Sequence, residues 1–198
     1  CNIAPYNPKQ IIQSLQSMLK NESIEEYTFI PYYEGFKGTI RKIEDQKFLI
    51  KGCYEKIDTD KIRITELPVG TWTMPYTSFL ETLVDGIVDN KTGKKGTPQL
   101  KDFSSICREV NVDIEVIFPR GKLEQLESTT DVNGINGVEK LLKLHTTLST
   151  TNMHMFDKDC RLHKYKNVHE ILQAFYNVRL DIYEKRKHYL LNDMHNKL

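Results

Sequence analysis

The sequence has little cysteine, little net charge and no long apolar run, and each shortage excludes something. Its four cysteines, Cys1, Cys53, Cys107 and Cys160, lie more than fifty positions apart with no Cys-x-x-Cys pair. That spacing argues against a disulfide frame or a zinc knuckle and fits a reducing compartment. No apolar run approaches the roughly 18 to 20 residues that a membrane span needs, and no signal-peptide pattern stands at the start, so no membrane partner is expected. There is no internal repeat and no low-complexity tract. A formal net charge of +1 excludes a uniformly basic chain.

What is present is ordinary for a globular domain: 198 residues, 39% hydrophobic and 28% charged, enough to bury a core. The charge is unevenly placed. Residues 37–63 hold eight Lys/Arg against five Asp/Glu, residues 161–198 hold eight against four, and the rest holds twelve against eighteen. Two basic regions on an acidic body is a distribution that a phosphate backbone would feel. The chain begins at Cys1 rather than Met and stops at Leu198 inside a helical pattern, so a piece of a longer polypeptide is expected.

Asn7 before Pro8, with Ile11, Ile12, Leu15, Met18 and Leu19 on one face, predicts a short amphipathic helix. From Lys37 the period becomes two. "KGTIRKI" and "KFLIKGCYEKI" flank Glu44-Asp45-Gln46 as a hairpin, and "DKIRITELP" adds a third strand that stops near Pro68, which has no amide for the ladder. "MPYTSFLETLVDGIVD" returns to helical spacing through Phe79, Leu80, Leu83, Val84 and Ile87, and "NKTGKKGTP" reads as a loop. "VNVDIEVIFP" alternates as a strand, with Val110, Val112, Ile114, Val116 and Phe118 in phase. "GKLEQLES" reads as a helix, "TTDVNGINGV" as a loop, "VEKLLKLHTTLSTTNMHMFD" as a short helix running into a strand, and "RLHKY" as a short strand. Asn167 caps a helix from Val168 whose apolar residues Ile171, Leu172, Phe175, Val178 and Ile182 step by three and four, like the opening of a coiled-coil arm. The fold class is α+β: a mostly antiparallel sheet with flanking helices, followed by a long exiting helix.

Few residues carry recognisable chemistry. Gly35 and Gly38 around Lys37 permit a close backbone approach beside a cation, which suits a phosphate contact, yet four residues ahead of a hairpin do not make a Walker loop. From spacing alone an ordinary turn into the hairpin explains them better. Trp72, the single tryptophan, sits between a strand end and a helix start, either as a half-buried anchor of the turn or as a functional loop residue. Thr71 and Thr73 fit helix caps or donors to phosphate oxygens. Cys160, His163 and His169 are spaced three and six apart across a strand, a turn and a helix start, with no fourth ligand, which favours solvated or structural histidines over a metal site. Asp157 and Asp159 fit a hairpin turn "FDKDCR" better than a cation site. "EKRKHY", Glu184 to Tyr189, spreads its charges around a helix as a solvated face would. No Ser/His/Asp or Cys/His nucleophile grouping is recognisable.

Read in order, "CNIAPYNPKQII", "GFKGTI", "ITELPVGTWTMPY", "KLHTTLSTTNMHMFD" and "LHKYKNVHEILQAFYNVRLDIYEKRK" resemble the type IIA DNA topoisomerases in their eukaryotic form, over nearly the whole chain. The resemblance implies a connecting helix at 1–25, a tower domain of the breakage-reunion core at 26–166 and the start of a coiled-coil arm at 167–198. It implies an ATP-dependent enzyme of the nucleus, a homodimer that passes one duplex through another. Its catalytic tyrosine and acidic magnesium ligands would lie upstream of Cys1, so none of the ten tyrosines here inherits the chemistry. No cofactor is implied for this piece; magnesium and ATP belong to the parent.

The partner implied is double-stranded DNA, gripped without regard to sequence at its sugar-phosphate backbone. Lys37, Gly38, Thr39 and Arg41, in the position of the family's Phe-Lys-Gly-Thr run, and Thr71, Trp72 and Thr73, in that of its Thr-Trp-Thr, are the expected contacts. Gly70 stands where animal members commonly have arginine. The competing expectation is a non-catalytic protein-interaction or dimer-assembly module with solvated basic regions.

Overall fold

A computed structural model of the chain describes residues 3–86, 96–107 and 111–197. Two compact units are present, one made of Cys1–Tyr33 with Ser149–Leu198 and the other of Glu34–Leu148.

In the first unit, helix α1 (Pro8–Leu19) starts where the sequence places it, with the Asn7 side chain accepting from Lys9 N–H and Pro8 in the first turn. Phe29 is buried with Val168 and Leu172, and Tyr6, Ile11, Leu15 and Tyr27 pack around them. Strands β8 (His154–Phe156) and β9 (Leu162–Lys164) form an antiparallel hairpin. Its turn is held by Asp157 Oδ1, which accepts from Asp159 and Arg161 N–H at 2.9 Å each. Helix α5 (Val168–Lys197) follows, with Asn167 Oδ1 accepting from Glu170 N–H. At about 1.5 Å per residue it is on the order of 45 Å long.

The second unit holds two sheets. Strands β1 (Thr39–Glu44), β2 (Lys47–Lys51) and β7 (His145–Ser149) form one in the order β1-β2-β7. Strands β3 (Cys53–Asp58), β4 (Lys61–Glu66), β5 (Asp102–Ser105) and β6 (Ile114–Ile117) form the other in the order β3-β4-β6-β5. The pairings β1-β2, β3-β4, β4-β6 and β5-β6 are all antiparallel. Helices α2 (Thr73–Asp85), α3 (Lys122–Glu127) and α4 (Gly137–Leu141) complete the unit.

Period-two alternation decides which face is inside. Ile62 and Ile64 of β4 pair with Val116 and Ile114 of β6, and all four are buried. Arg63, between them, faces out. Leu80 and Leu83 of α2, Leu123 of α3, and Val138, Leu142 and Leu144 join the same core. Buried Tyr76 donates its hydroxyl to the Leu142 carbonyl at 2.8 Å, and burial pushes its phenol pKa far above the ordinary value.

Three features depart from the sequence reading, the first being that the strand expected after the short helix in "VEKLLKLHTTLSTTNMHMFD" is two, β7 and β8, in different sheets. "KFLIKGCYEKI" is two strands, β2 and β3, which part at Gly52 into different sheets. A strand not anticipated, β5, lies at the edge beyond β6. The helix expected through Ile87 is α2 as far as Asp85, while Ile87 itself, most of the "NKTGKKGTP" loop and Val110 fall outside the described residues.

Candidate nucleic-acid interface

The first expected contacts enter along β1. Gly35 takes a positive φ of 78°, a left-handed turn that an L side chain resists. Lys37 then has both backbone groups tied down. Its N–H donates to Glu66 Oε2 at 3.3 Å, and its carbonyl accepts from Cys53 Sγ at 3.3 Å. These bonds fix the backbone between the end of β4 and the start of β3 and leave the Lys37 side chain exposed.

Gly38 is glycine for an internal reason. A Cβ there would collide with the Lys51 carbonyl oxygen and the Phe36 ring, so the close approach at this residue is between parts of the chain itself. Gly52 is the same kind of position, where a Cβ would collide with the Glu66 carbonyl and lie 3.2 Å from Pro68 Cδ. The lead into β1, the end of β2, the start of β3 and the end of β4 therefore lie against one another at one end of the unit.

Thr71–Thr73 emerge at that same end. Thr71 N–H donates to the Pro68 carbonyl at 3.0 Å, closing a turn with Gly70 at φ 87°, the type II arrangement with glycine third. Trp72 is the N-cap of α2 in extended conformation, with no side-chain cap bond. Neither threonine caps the helix. Among the described residues the Thr71 and Thr73 hydroxyls have no hydrogen-bond partner within the chain. The expectation of a half-buried tryptophan anchoring the turn is overturned, because Trp72 is 78% exposed and Met74 beside it 82%.

The charge distribution also changes on folding. Of the eight basic residues in 37–63, six face carboxylates: Lys42 with Asp45, Lys47 with Glu44, Lys51 with Glu139, Lys56 with Glu127, Lys61 with Glu115 and Arg63 with Asp113. Among the described residues only Lys37 and Arg41 of that stretch have no ion pair. Arg41 is exposed on β1, its guanidinium near Gly134, while Thr39 precedes it by two on the same face. The basic region thus reduces to two free cations, both among the residues the sequence singled out.

The other groupings resolve into separate local roles. His163 Nε2 lies 3.7 Å from Glu170 Oε1, the His169 ring packs edge-on to Phe29 at 4.9 Å, and Cys160 is exposed in the hairpin turn. Among the described residues no group of three or more His, Cys, Asp or Glu side chains is arranged to hold a metal ion. On α5, Lys185 pairs with Asp181 at 2.7 Å on an exposed surface.

With this geometry in place, comparison with known proteins adds the family. A family model for the A-type subunits of DNA gyrase and topoisomerase IV matches residues 1–198. DNA topoisomerase 2 of Pisum sativum is 35% identical over 197 residues, covering 99% of this chain and 12% of its own length. DNA topoisomerase 2 of Bombyx mori is 38% identical over 193 residues, 95% of this chain and 11% of its length. A crystal structure of the Plasmodium falciparum topoisomerase II DNA-binding, cleavage and re-ligation domain superposes with a TM-score of 0.84 at 32% identity, covering 98% of this chain and 24% of that one. The chain therefore spans about an eighth of the length of the curated relatives it matches.

Proposed function

Because this chain belongs to the DNA gyrase/topoisomerase IV A-type family, we propose that it is the part of a type IIA DNA topoisomerase that grips the flanks of the cut duplex and leads toward the dimer gate. Residues 1–25 are then the connecting helix, 26–166 the tower domain and 167–198 the start of the coiled-coil arm. The parent is a homodimeric, ATP-dependent isomerase of the nucleus. In this reading magnesium and ATP belong to other parts of the parent, and nothing this chain does runs through either.

The work assigned to this chain is binding and orientation. Bending a 20 to 30 base-pair flank costs on the order of 1–6 kcal/mol, and backbone contacts spread along it offset that cost without reading sequence. The observation that supports this best is the pair of unneutralised cations, Lys37 and Arg41, in a stretch whose other basic residues face carboxylates. The free hydroxyls of Thr71 and Thr73, at the end of the unit where Lys37 lies, are suited to phosphate oxygens. Thr39 shares the face of β1 with Arg41. Gly38 contributes through the fold, by letting β1 lie against Lys51.

On α5, Phe175, Ile182 and Tyr189 recur every seven residues and are 50%, 45% and 70% exposed, which supports an arm that packs against another helix. The test of the DNA reading against a purely structural module is filter retention of a duplex of about 30 base pairs at low and high salt. Retention at low salt that is lost at high salt is expected. A chain that retains no duplex at low salt contradicts the reading.

A further inference from the structure

The loop leading into α4 holds the two Asn-Gly pairs of the chain, Asn133-Gly134 and Asn136-Gly137, and the fold treats them differently. Asn136 is locked. Its Oδ1 accepts from Glu139 N–H at 2.8 Å, its side-chain amide donates to the Tyr54 hydroxyl at 2.7 Å, and Gly137 N–H donates to the Thr129 carbonyl at 3.0 Å. A Cβ on Gly137 would collide with the Leu126 carbonyl oxygen, so the backbone there is pressed against its neighbours. Asn133 has none of this. Among the described residues its side-chain amide has no hydrogen-bond partner within the chain, and it is half-buried between Val132 and Gly134, which are both exposed. Gly134, at a φ of 62°, has its N–H bonded to the Asp131 carbonyl at 2.9 Å, and that turn bond is what holds its nitrogen.

We propose that Asn133-Gly134 is a self-modification site, at which the chain loses ammonia to leave aspartate or isoaspartate, and that the carboxylate so formed neutralises Arg41. The Gly134 nitrogen gives its proton to solvent and bonds to Asn133 Cγ, while the side-chain amide takes a proton and leaves as ammonia. A five-membered succinimide results. Water then opens the ring: attack at Cγ gives aspartate, and attack at the main-chain carbonyl gives isoaspartate with the chain running through Cγ. Either product has exchanged NH3 for H2O and carries one new negative charge, with no oxidant or reductant involved. Glycine in second place has no side chain to shield the attacking nitrogen and leaves the backbone free to turn toward Cγ.

The new charge arrives beside a cation. A Cβ on Gly134 would stand 3.4 Å from a guanidinium nitrogen of Arg41, and Lys51 Nζ donates to the Gly134 carbonyl at 2.9 Å, so the loop lies against β1 and β2. With about 3.8 Å between consecutive Cα atoms, a carboxylate at residue 133 is separated from that guanidinium by on the order of 10 Å or less, about one Debye length. Lys51 already faces Glu139 and Lys140 already faces Asp131, which leaves Arg41 as the cation beside this loop without an ion pair among the described residues. The modification stands on its own; its consequence for binding rests on the DNA-flank reading, in which an altered chain grips the backbone with one cation fewer.

The experiment incubates the 198-residue chain at mildly alkaline pH, folded in buffer and unfolded in urea, and follows the tryptic peptide 123–140, which carries both asparagines, by fragment-ion mass spectrometry. In the folded chain a gain of about one dalton is expected at Asn133, at least about tenfold faster than at Asn136, where a helix cap and the packing behind it must open first. In urea the two should convert at like rates. A folded chain that converts both alike, or that keeps Asn133 intact while the unfolded chain converts it, overturns the site. The charge step is read on a duplex of about 30 base pairs: Asn133→Asp should lower the slope of log affinity against log salt by up to roughly 0.9 in magnitude, as Arg41→Ala does, and add nothing in an Arg41→Ala background. A slope that Arg41→Ala lowers and Asn133→Asp does not overturns the link to Arg41 while leaving the DNA-flank reading intact. If no duplex binds at low salt, that reading and the link to Arg41 fall together, and the mass readout alone decides the modification.

Discussion

Lys51 Nζ lies 2.6 Å from Glu139 Oε1, and this pair ties the β1-β2-β7 sheet to helix α4. The Lys51 and Glu139 side chains are 17% and 10% exposed. Glu139 is also half of a capping box: its Oε2 accepts from Asn136 N–H at 2.9 Å while Asn136 Oδ1 accepts from Glu139 N–H at 2.8 Å. Asn136 in turn donates to the Tyr54 hydroxyl at 2.7 Å, which carries the network to β3. Removing Glu139 leaves a nearly buried ammonium with the Gly134 carbonyl but no counter-charge, and at the same time uncaps a helix. Glu139→Ala is expected to lower the unfolding free energy in urea by about 3 kcal/mol. Lys51→Met combined with Glu139→Leu should recover most of that loss, because no buried charge is then left unpaired.

Gly38→Ala separates the fold from the ligand. The added Cβ meets backbone at Lys51, which cannot swing aside as a side chain can. A loss of about 1–3 kcal/mol is expected in thermal or urea unfolding. Gly35 has open space around it, so the cost of alanine there comes from its positive φ alone, and about 1 kcal/mol is expected.

Asp131 gives the unit an acid sensitivity. Its carboxylate accepts from the Ile135 backbone N–H at 3.0 Å, pairs with Lys140 at 3.0 Å and accepts from the Asn133 backbone N–H at 2.8 Å. The Ile135 bond is the largest of the influences holding its pKa below the ordinary carboxylate value. A depressed folded-state pKa contributes stability that is present above the unfolded value, about 3.9, and is lost as pH falls through the folded one. Asp131→Asn should therefore be less stable near neutrality and lose less between pH 5 and 2 than the parent chain. Urea midpoints across that range check it. Equal losses in both proteins would exclude Asp131 as a source of the acid response.

Much of the fold was legible because its signals are local. Asn7-Pro8 and Asn167 set the starts of α1 and α5, and Pro68 bounds β4, which ends at Glu66. The α+β class and the antiparallel pairing followed from alternation in residues such as Ile62, Ile64, Ile114 and Val116. The split at Gly52 was hidden because strand-forming residues continue on both sides of it, and only the press of Glu66 and Pro68 shows why the chain changes sheets there. Strand β5 was hidden because Phe103 is its one apolar residue, so there is no period to see.

The site was legible in part, and for the same reason. The free cations Lys37 and Arg41 were among the residues chosen from sequence. Lys42 and Lys47 find their carboxylates three positions away, but the other four pairings were not visible because the partners are remote: Glu127 is 71 positions from Lys56 and Asp113 is 50 from Arg63. The exposure of Met74 was not visible because its spacing is that of any helical methionine. Only its exposure, beside that of Trp72, sets it apart.

Gly70 is a place where a cation can be added instead of removed. Its φ of 87° strains any L side chain, yet nothing lies within 4 Å of where a Cβ would stand. Gly70→Arg is expected to lower thermal stability, by about 1 kcal/mol, while adding a cation near Thr71. Duplex binding should gain in affinity at low salt and become more steeply salt-dependent, measured by filter retention.

Of the basic residues in 37–63, Lys37 and Arg41 are the two proposed to meet the DNA backbone. The most direct test is the slope of log affinity against log salt for a duplex, compared between the parent chain and Lys37→Ala with Arg41→Ala. The parent slope should fall in magnitude by roughly 0.9 for each phosphate contact removed, close to 2 for the pair, with equal loss on unrelated sequences. Lys56→Ala, which removes a cation already paired with Glu127, should leave the slope where it was. An unchanged slope in the double variant would contradict the account.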